Sequence, residues 1–342
     1  MSNKRKNVRA AIVGCGIIFP YHAFSIEQIE GVDLVAICDT DINSLKRATQ
    51  TYKCEEFKDF EQMIDNVSID TLHICTPHYL HFPMYIKAME KGINVIIEKP
   101  VAIKRSEIKK MVSNSIKAKT IDAGIFQNRF TRSSKIIKNA IEKQRIGAIK
   151  YCDINITANV GQYNSWRKNK CYSGGGILLD FAIHYVDLVK WFLNMRPTGV
   201  EVLNKDKSQK NNDMEDTIEG IIHFDNNFDV FFYIRNQYLE ESHILITIKC
   251  EKGTAYFSGD HAKIRFNSGA EIEGGLKKND FFVYDNIGKR YWGMGHLEQI
   301  KNYYNSLKLN IKPAVDLIDA CESVEIILDI YERLSIKTET YF

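Results

Sequence analysis

Three sets of residues in this 342-residue chain have the types and spacing to do chemistry. The first is Asp180 and His184, four apart in "GGGILLDFAIHYVDLVKWFLN" at 174–194. On a helix that spacing puts both on one side. A carboxylate beside an imidazole orients the ring and raises its pKa, which suits a general base near neutral pH. The glycines Gly174 to Gly176 would let the chain pass close to a bound substrate or cofactor. Two other readings compete. Asp187, Lys190 and Asn194 fall on much the same stripe, as on a solvent-facing helix edge. Asp and His at this spacing can also chelate a metal, but no third ligand is convincingly arranged, so no metal is expected.

The second set is Glu98-Lys99-Pro100, closing "INVIIEKP". It stands at the C-terminal end of a buried strand, where open α/β sheets bind ligands. A lysine there can reach a substrate oxygen or a ribose, although a single lysine at a strand end is commonly just solvated. The third set is "VGCGIIFPYH" at 13–22. Gly14 and Gly16 follow a strand and precede a helix, as in a dinucleotide-binding turn. They permit a tight turn in which backbone N–H groups, those of Ile17 and Ile18 among them, approach a pyrophosphate at the helix N-terminus. Phe19 stands where the third glycine of G-x-G-x-x-G serves helix–sheet packing. Pro20 is tolerated in a first helical turn. A working turn is therefore expected, with the Phe19 ring pointing away from the sheet. Asp39 ends "VAICD" about 23 residues after Gly16, placed to hydrogen-bond adenosine ribose hydroxyls and to repel a 2′-phosphate. That favours NAD over NADP; the competing role for Asp39 is as a cap for the helix starting near Asp41.

The elements that must position these residues show in the hydrophobic pattern. Short apolar runs, "VRAAIV", "VDLVAICD", "IDTLHICT", "INVIIEKP" and "TIDAGIF", alternate with helix-like segments around 20–30, 41–51, 79–91 and 103–118. Near-continuous apolar strands with crossover helices predict a parallel sheet covered on both faces. After about residue 125 the pattern changes. A helix near 132–144 and a strand at 147–158 precede an apolar helix at 176–194. Strands follow at 198–204, 216–225, 228–236, 243–250 and 253–257, so closely spaced that a mostly antiparallel sheet is expected. The polar run 204–216 reads as an exposed loop, and helices at 296–309 and 314–335 close the chain.

The chain is long for one core, and two domains are the natural expectation. With 44% hydrophobic and 26% charged residues it reads as globular, and its net charge of +3 gives no strong field for nucleic acid or membrane. No h-region follows the basic start Lys4-Arg5-Lys6 and no span of about 20 apolar residues occurs, so a soluble, cytoplasmic protein is expected. None of the eight cysteines forms a C-x-x-C pair, which suits buried free thiols.

Taken in order, "VGCG…H", the "CD" ending strand two, "CTPHYLH" at 75–81, "EKP" at 98–100, "GIFQNRF" at 124–130 and "SGGGILLDFAIHYVDLVKWFL" at 173–193 resemble the glucose–fructose oxidoreductase, inositol dehydrogenase and rhizopine-catabolism (Gfo/Idh/MocA) family. So does the closing "GHLEQIKNYYNSLKLNIKPAVDLIDACESVEIILDIY". The resemblance covers nearly the whole chain. Phe19 departs from it, where the family usually has Gly or Ala. It implies a doubly wound Rossmann domain at 1–124 and, at 125–342, an α/β domain with an open, mostly antiparallel sheet for substrate binding and oligomerisation. A homodimer or homotetramer through that sheet follows, with the C-terminal helix packing back on the first domain. Lys99 is then the lysine near the nicotinamide ribose and reacting hydroxyl, and the peptide before Pro100 is often cis in such proteins. Thr76 and Pro77 line the cofactor crevice, with His81 and Glu98 placed beside it, although His78 and His81 also suit structural roles. Asp180 and His184 match the substrate-binding aspartate and the catalytic histidine.

The activity implied is hydride transfer between nicotinamide and a secondary alcohol of a sugar, cyclitol or nucleotide sugar. His184 would take the hydroxyl proton, Lys99 would stabilise charge on that oxygen, and Asp180 would hold the imidazole or substrate hydroxyls. Arg129, Tyr163, Trp166 and Arg167 lie in segments that flank the site in related proteins. Trp166 can stack on a sugar face and Arg167 can meet a carboxylate or phosphate, unless "NSWRKNK" is simply an exposed loop. Two other classes stay open: an NAD-dependent glycoside hydrolase with no net redox change, and a non-catalytic NAD-binding regulator.

Overall fold

The computed structural model describes residues 7–160, 165–207, 214–236, 242–275 and 294–335. The chain forms two compact units. One comprises residues 1–102, 106–127 and 279–321; the other comprises 103–105, 128–278 and 322–342.

The first unit is built on six parallel strands: β1 (Val8–Val13), β2 (Val32–Cys38), β3 (Glu55–Phe57), β4 (Thr71–Ile74), β5 (Asn94–Ile97) and β6 (Ala123–Gly124). Their order is β3-β2-β1-β4-β5-β6. Ala10 to Ile12 of β1 and Val95 to Ile97 of β5 are fully buried, because helices cover both faces. The crossovers include α1 (Phe19–Glu27), α2 (Ile42–Thr51), α3 (Phe60–Asn66), α4 (His78–Glu90) and α5 (Arg105–Lys117). Strand order reverses between β1 and β4, so the crevice where such sheets bind ligands opens at their carboxyl ends. Gly14, Thr76, Asp39 and Lys99 all follow those ends. The short β3 and α3 are additions to the sequence reading; three residues of "EEF" carry too little pattern to announce a strand.

In the second unit α6 (Arg132–Glu142) precedes β7 (Ile149–Ala158). A 3₁₀ turn at Ser165–Lys168 and the one-turn helix α7 (Lys170–Ser173) lead to a π-helical turn at Leu178–Ala182, which runs into α8 (Ile183–Leu193). Then come β8 (Pro197–Lys207), β9 (Glu215–Phe224), β10 (Phe228–Asn236), β11 (His243–Cys250), β12 (Gly253–Phe257), β13 (His261–Phe266) and β14 (Glu271–Gly275). The eight-stranded order is β14-β13-β12-β11-β7-β10-β9-β8, antiparallel except where β10 pairs β7. Burial alternates along these strands: Cys152, Ile154, Ile156, Val230, Phe232 and Ile234 face the core, and Phe231 and Leu245 stand exposed on the other face. The expected loop at 204–216 is partly strand, since β8 runs to Lys207 and β9 starts at Glu215; residues 208–213 lie outside those described. The helix α9 (Met294–Leu309) belongs to the first unit, and α10 (Leu317–Ser335) spans the division. All eight cysteines are free thiols.

Phe19 does not point away from the sheet. Its side chain is 3% exposed and lies in the core with Ala10, Ile12, Leu45 and Ala48, edge-on to Tyr52 at 5.6 Å between centroids. Where the third glycine would let helix and sheet approach, the fold places a core aromatic instead.

Candidate active site

The predicted residues divide between the units. Gly14 to Lys99 fall in the first, and Arg129, Trp166, Arg167, Asp180 and His184 in the second.

In the first unit the turn after β1 is built as a nucleotide turn requires. Gly14 has φ +96°, and a Cβ there would lie 2.5 Å from the Cys75 carbonyl oxygen, so no other residue fits. A Cβ on Gly16 would meet nothing within 4 Å, so the second glycine faces open space beside the start of α1. Ile17 is 71% exposed there. Asp39 caps neither turn nor helix by itself: Asp41 caps α2. Instead Asp39 accepts the Cys15 N–H at 2.7 Å on one oxygen and the Asp41 N–H at 2.8 Å on the other. Each carboxylate oxygen has a second lone pair, so the fixed group can still accept from ribose hydroxyls. An open second glycine beside an anchored, half-exposed carboxylate fits NAD.

His81 is buried, with its ring nitrogens on the carbonyls of Thr76 and Pro100, both at 2.8 Å. It braces the two loops, the structural role that the sequence also allowed. Glu98 is buried too. Its Oε1 accepts from His22 Nε2 at 3.1 Å and His296 Nε2 at 3.0 Å, and its Oε2 accepts the Lys99 N–H at 3.2 Å. It therefore holds the Lys99 backbone. Although burial raises the pKa of Glu98, hydrogen bonds from the two histidines hold it well below the usual carboxylate range. Lys99 itself is half-buried, and its bond to Pro100 is cis.

In the second unit Asp180 lies in the π-turn and His184 in the first turn of α8, so the wider turn sets their relative facing. Arg167 Nε lies 3.5 Å from Asp180 Oδ1, and its guanidinium stacks 4.3 Å over the Trp166 ring. The structure thus brings Trp166, Arg167 and Asp180 into one cluster; Tyr163 lies outside the described residues. The solvent-edge reading of this helix fails. Asp187 is fully buried and takes Arg129 Nε at 2.7 Å and Nη2 at 2.5 Å, plus the Ser323 hydroxyl at 2.7 Å. Lys190 is buried, with Nζ 3.1 Å from Glu322. Arg129, expected among the substrate-binding residues, is thus held in a buried ion pair.

The glycine run also has a different cause from the one expected. A Cβ on Gly175 would lie 2.0 Å from the Tyr331 hydroxyl, and one on Gly176 2.9 Å from Glu215. The close approach is to protein. Glu215 is the residue that sequence reasoning missed. Buried at the start of β9, it accepts the N–H groups of Gly176 (3.0 and 3.1 Å) and Leu178 (3.1 Å) and the Tyr331 hydroxyl (2.7 Å). It caps from a distance the helical segment bearing Asp180 and His184, where a negative charge suits the dipole. Burial pushes its pKa up. Its position in the polar run "NNDMED" masked it.

Two sequence models of one family match this chain. The oxidoreductase family with an NAD-binding Rossmann fold, Gfo/Idh/MocA, matches residues 8–121, and its C-terminal α/β domain matches residues 138–339. The chain belongs to this family. Among curated relatives, the D-glucoside 3-dehydrogenase of Escherichia coli (strain K12) is 26% identical over 207 residues, 59% of this chain and 58% of that one. A 2,7-anhydro-N-acetylneuraminate hydratase of Mediterraneibacter gnavus is 27% identical over 197 residues, 57% and 52% of the two chains. The matched stretches thus span little more than half the length of these relatives. Among solved structures, the WlbA dehydrogenase from Bordetella pertussis in complex with NADH and UDP-GlcNAcA superposes with a TM-score of 0.80 at 25% identity, covering 96% of each chain.

Proposed function

We propose that this Gfo/Idh/MocA protein is an NAD-dependent dehydrogenase acting on a secondary alcohol of a sugar, cyclitol or nucleotide sugar. The observation that carries the reading is the turn after β1, with Gly14 packed against Cys75, Gly16 open, and Asp39 anchored beside them. Bound NAD would supply the hydride acceptor. Gly16 and the start of α1 would receive the pyrophosphate and Asp39 the adenosine ribose, which disfavours a 2′-phosphate. His184 is assigned the hydroxyl proton, Lys99 the developing charge on oxygen, and Asp180 with Arg167 and Trp166 the polar and flat faces of the sugar. Sugar and nucleotide-sugar relatives support that substrate class.

The test is a panel of polyols, sugars and nucleotide sugars with NAD and NADP, followed through NADH absorbance. Lys99→Met and His184→Ala are each expected to lose at least about 100-fold in turnover, the scale of acid–base catalysis, while still binding NADH. Full activity in both variants would sink the assignment. A second reading, transient oxidation with no net redox change, is favoured by the hydratase relative. It predicts product formation without NADH accumulation. We also propose a homo-oligomer formed through the open face of the eight-stranded sheet.

A further inference from the structure

Beneath Lys99 lies a buried polar cluster that the proposed reaction does not use. His22 comes from α1, His73 from β4, Glu98 from the end of β5, and His296 and Tyr304 from α9; none is more than 7% exposed. Four contacts link them. Besides the two histidine contacts to Glu98 Oε1, His22 Nδ1 lies 2.8 Å from His73 Nδ1, and His73 Nε2 lies 2.8 Å from the Tyr304 hydroxyl.

The chemistry of the groups fixes the direction of every bond. An ionised carboxylate only accepts, so His22 and His296 must each carry a proton on Nε2. A neutral His22 then has a bare Nδ1, which accepts, so His73 must donate through Nδ1. Neutral His73 has a bare Nε2, which accepts from the Tyr304 hydroxyl. The chain Tyr304→His73→His22→Glu98 is satisfied in this single arrangement of neutral rings. Burial pushes both His22 and His73 below the ordinary imidazole range, in keeping with neutral rings. The chain ends on the carboxylate whose other oxygen holds the Lys99 N–H.

We propose that His22, His73, His296 and Tyr304 are positioning residues that act through Glu98 to fix the backbone of Lys99 at the end of β5. This inference rests on the reading of Lys99 as catalytic, but its physical core does not. A fully satisfied buried network rigidifies, whereas a partly satisfied one costs more than an apolar core. Glu98 is the pivot because two oxygens must accept three N–H groups. An amide cannot do so: in Glu98→Gln the NH₂ faces either the two imidazoles or the Lys99 N–H.

The same His22, Glu98 and His296 atoms lie close enough together to hold a metal ion, and this is the rival account. It requires both Nε2 atoms to be deprotonated, which reverses the chain: His22 then donates through Nδ1, and His73 donates to Tyr304.

Two measurements decide. Long-range ¹⁵N–¹H correlation on the ¹⁵N-histidine-labelled protein reads each tautomer without reference to activity. The expected result at neutral pH is His22 and His296 protonated on Nε2 and His73 on Nδ1. The reversed tautomers, an imidazolium at His22, or a stoichiometric metal by elemental analysis would overturn the proposal. The second compares the wild type with Glu98→Gln and with Glu98→Asp. The Lys99 amide resonance is expected to shift in Glu98→Gln. Its kcat should fall at least about tenfold with NADH binding retained, and Glu98→Asp should recover part of the loss. An unmoved Lys99 resonance or an unchanged kcat in a folded Glu98→Gln variant would also overturn it. If the wild type oxidises no alcohol, the proposed activity fails, while the tautomers and the Lys99 resonance still test the network.

Discussion

At the scale of single residues, several side chains whose types suggest a ligand are engaged by the protein. Arg129 spends its guanidinium on buried Asp187, His81 its ring on two carbonyls, and Glu98 both oxygens on two rings and a backbone N–H. Type and spacing locate such groups, but only the partner decides whether a charge faces substrate or core. Phe19 makes the same point for an apolar group. Its ring fills the core beside Tyr52, so Phe19→Ala should cost about 3–5 kcal/mol, the usual range for emptying a buried aromatic site. A urea midpoint measures this. NADH affinity should change far less than stability does, because the ring lies on the core side of the turn while Gly16 faces open space. A stable variant with collapsed NADH binding would show that the ring serves the cofactor after all.

At the scale of elements, regular patterns were legible and irregular ones were not. The runs at 228–236, 243–250 and 253–257 match β10, β11 and β12 to the residue, because their alternation is sustained and turn residues bound them. The short β3, the edge strand β14 and its neighbour β13 escaped notice, since "HAKIRF" and "EIEGG" mix charge with few apolar positions. The pair Asp180 and His184 was legible as four apart, but the π-turn was not: nothing in "LLDFA" announces a wider turn. Its support comes from Glu215 and Tyr331, both remote in sequence, and only the fold could bring them to the glycines. Gly175→Ala tests that support. The added methyl must displace the Tyr331 hydroxyl from Glu215, at about 1–3 kcal/mol for overpacking. Turnover should fall with the π-turn. The methyl would also lie 2.4 Å from the ring carbon that bears the hydroxyl, so Gly175→Ala combined with Tyr331→Leu, which removes the ring, should recover part of the summed losses of the two single changes. Failure of the pair to recover would place the strain elsewhere.

At the scale of the whole molecule, the proposed homo-oligomer rests on the open face of the eight-stranded sheet. Eight strands about 4.8 Å apart make a surface roughly 35–40 Å across, ample for the ~800 Å² per partner that a stable interface buries. Its centre, on β7, β10 and β11, carries exposed apolar and aromatic side chains among polar ones such as Asp153, Asn155 and Lys249. Phe231 is 43% and Leu245 39% exposed, and Phe231 stacks on Tyr151 at 6.2 Å. The β14 edge differs: Lys263 and Arg265 pair with Glu271 and Glu273 across the last two strands. These exposed pairs add little stability, but a charged edge discourages strand addition. Association is therefore expected face to face, and a two-fold interface would set each central residue near its own copy or that of a neighbour. Phe231→Glu and Leu245→Glu would each put a carboxylate into that contact, Phe231→Glu directly across from Asp153. Light scattering behind size exclusion should show a dimer or tetramer for the wild type and a shift toward monomer for both variants, with unchanged circular dichroism. A wild type that is monomeric at micromolar concentration, or variants that keep the wild-type mass, would remove this face as the interface.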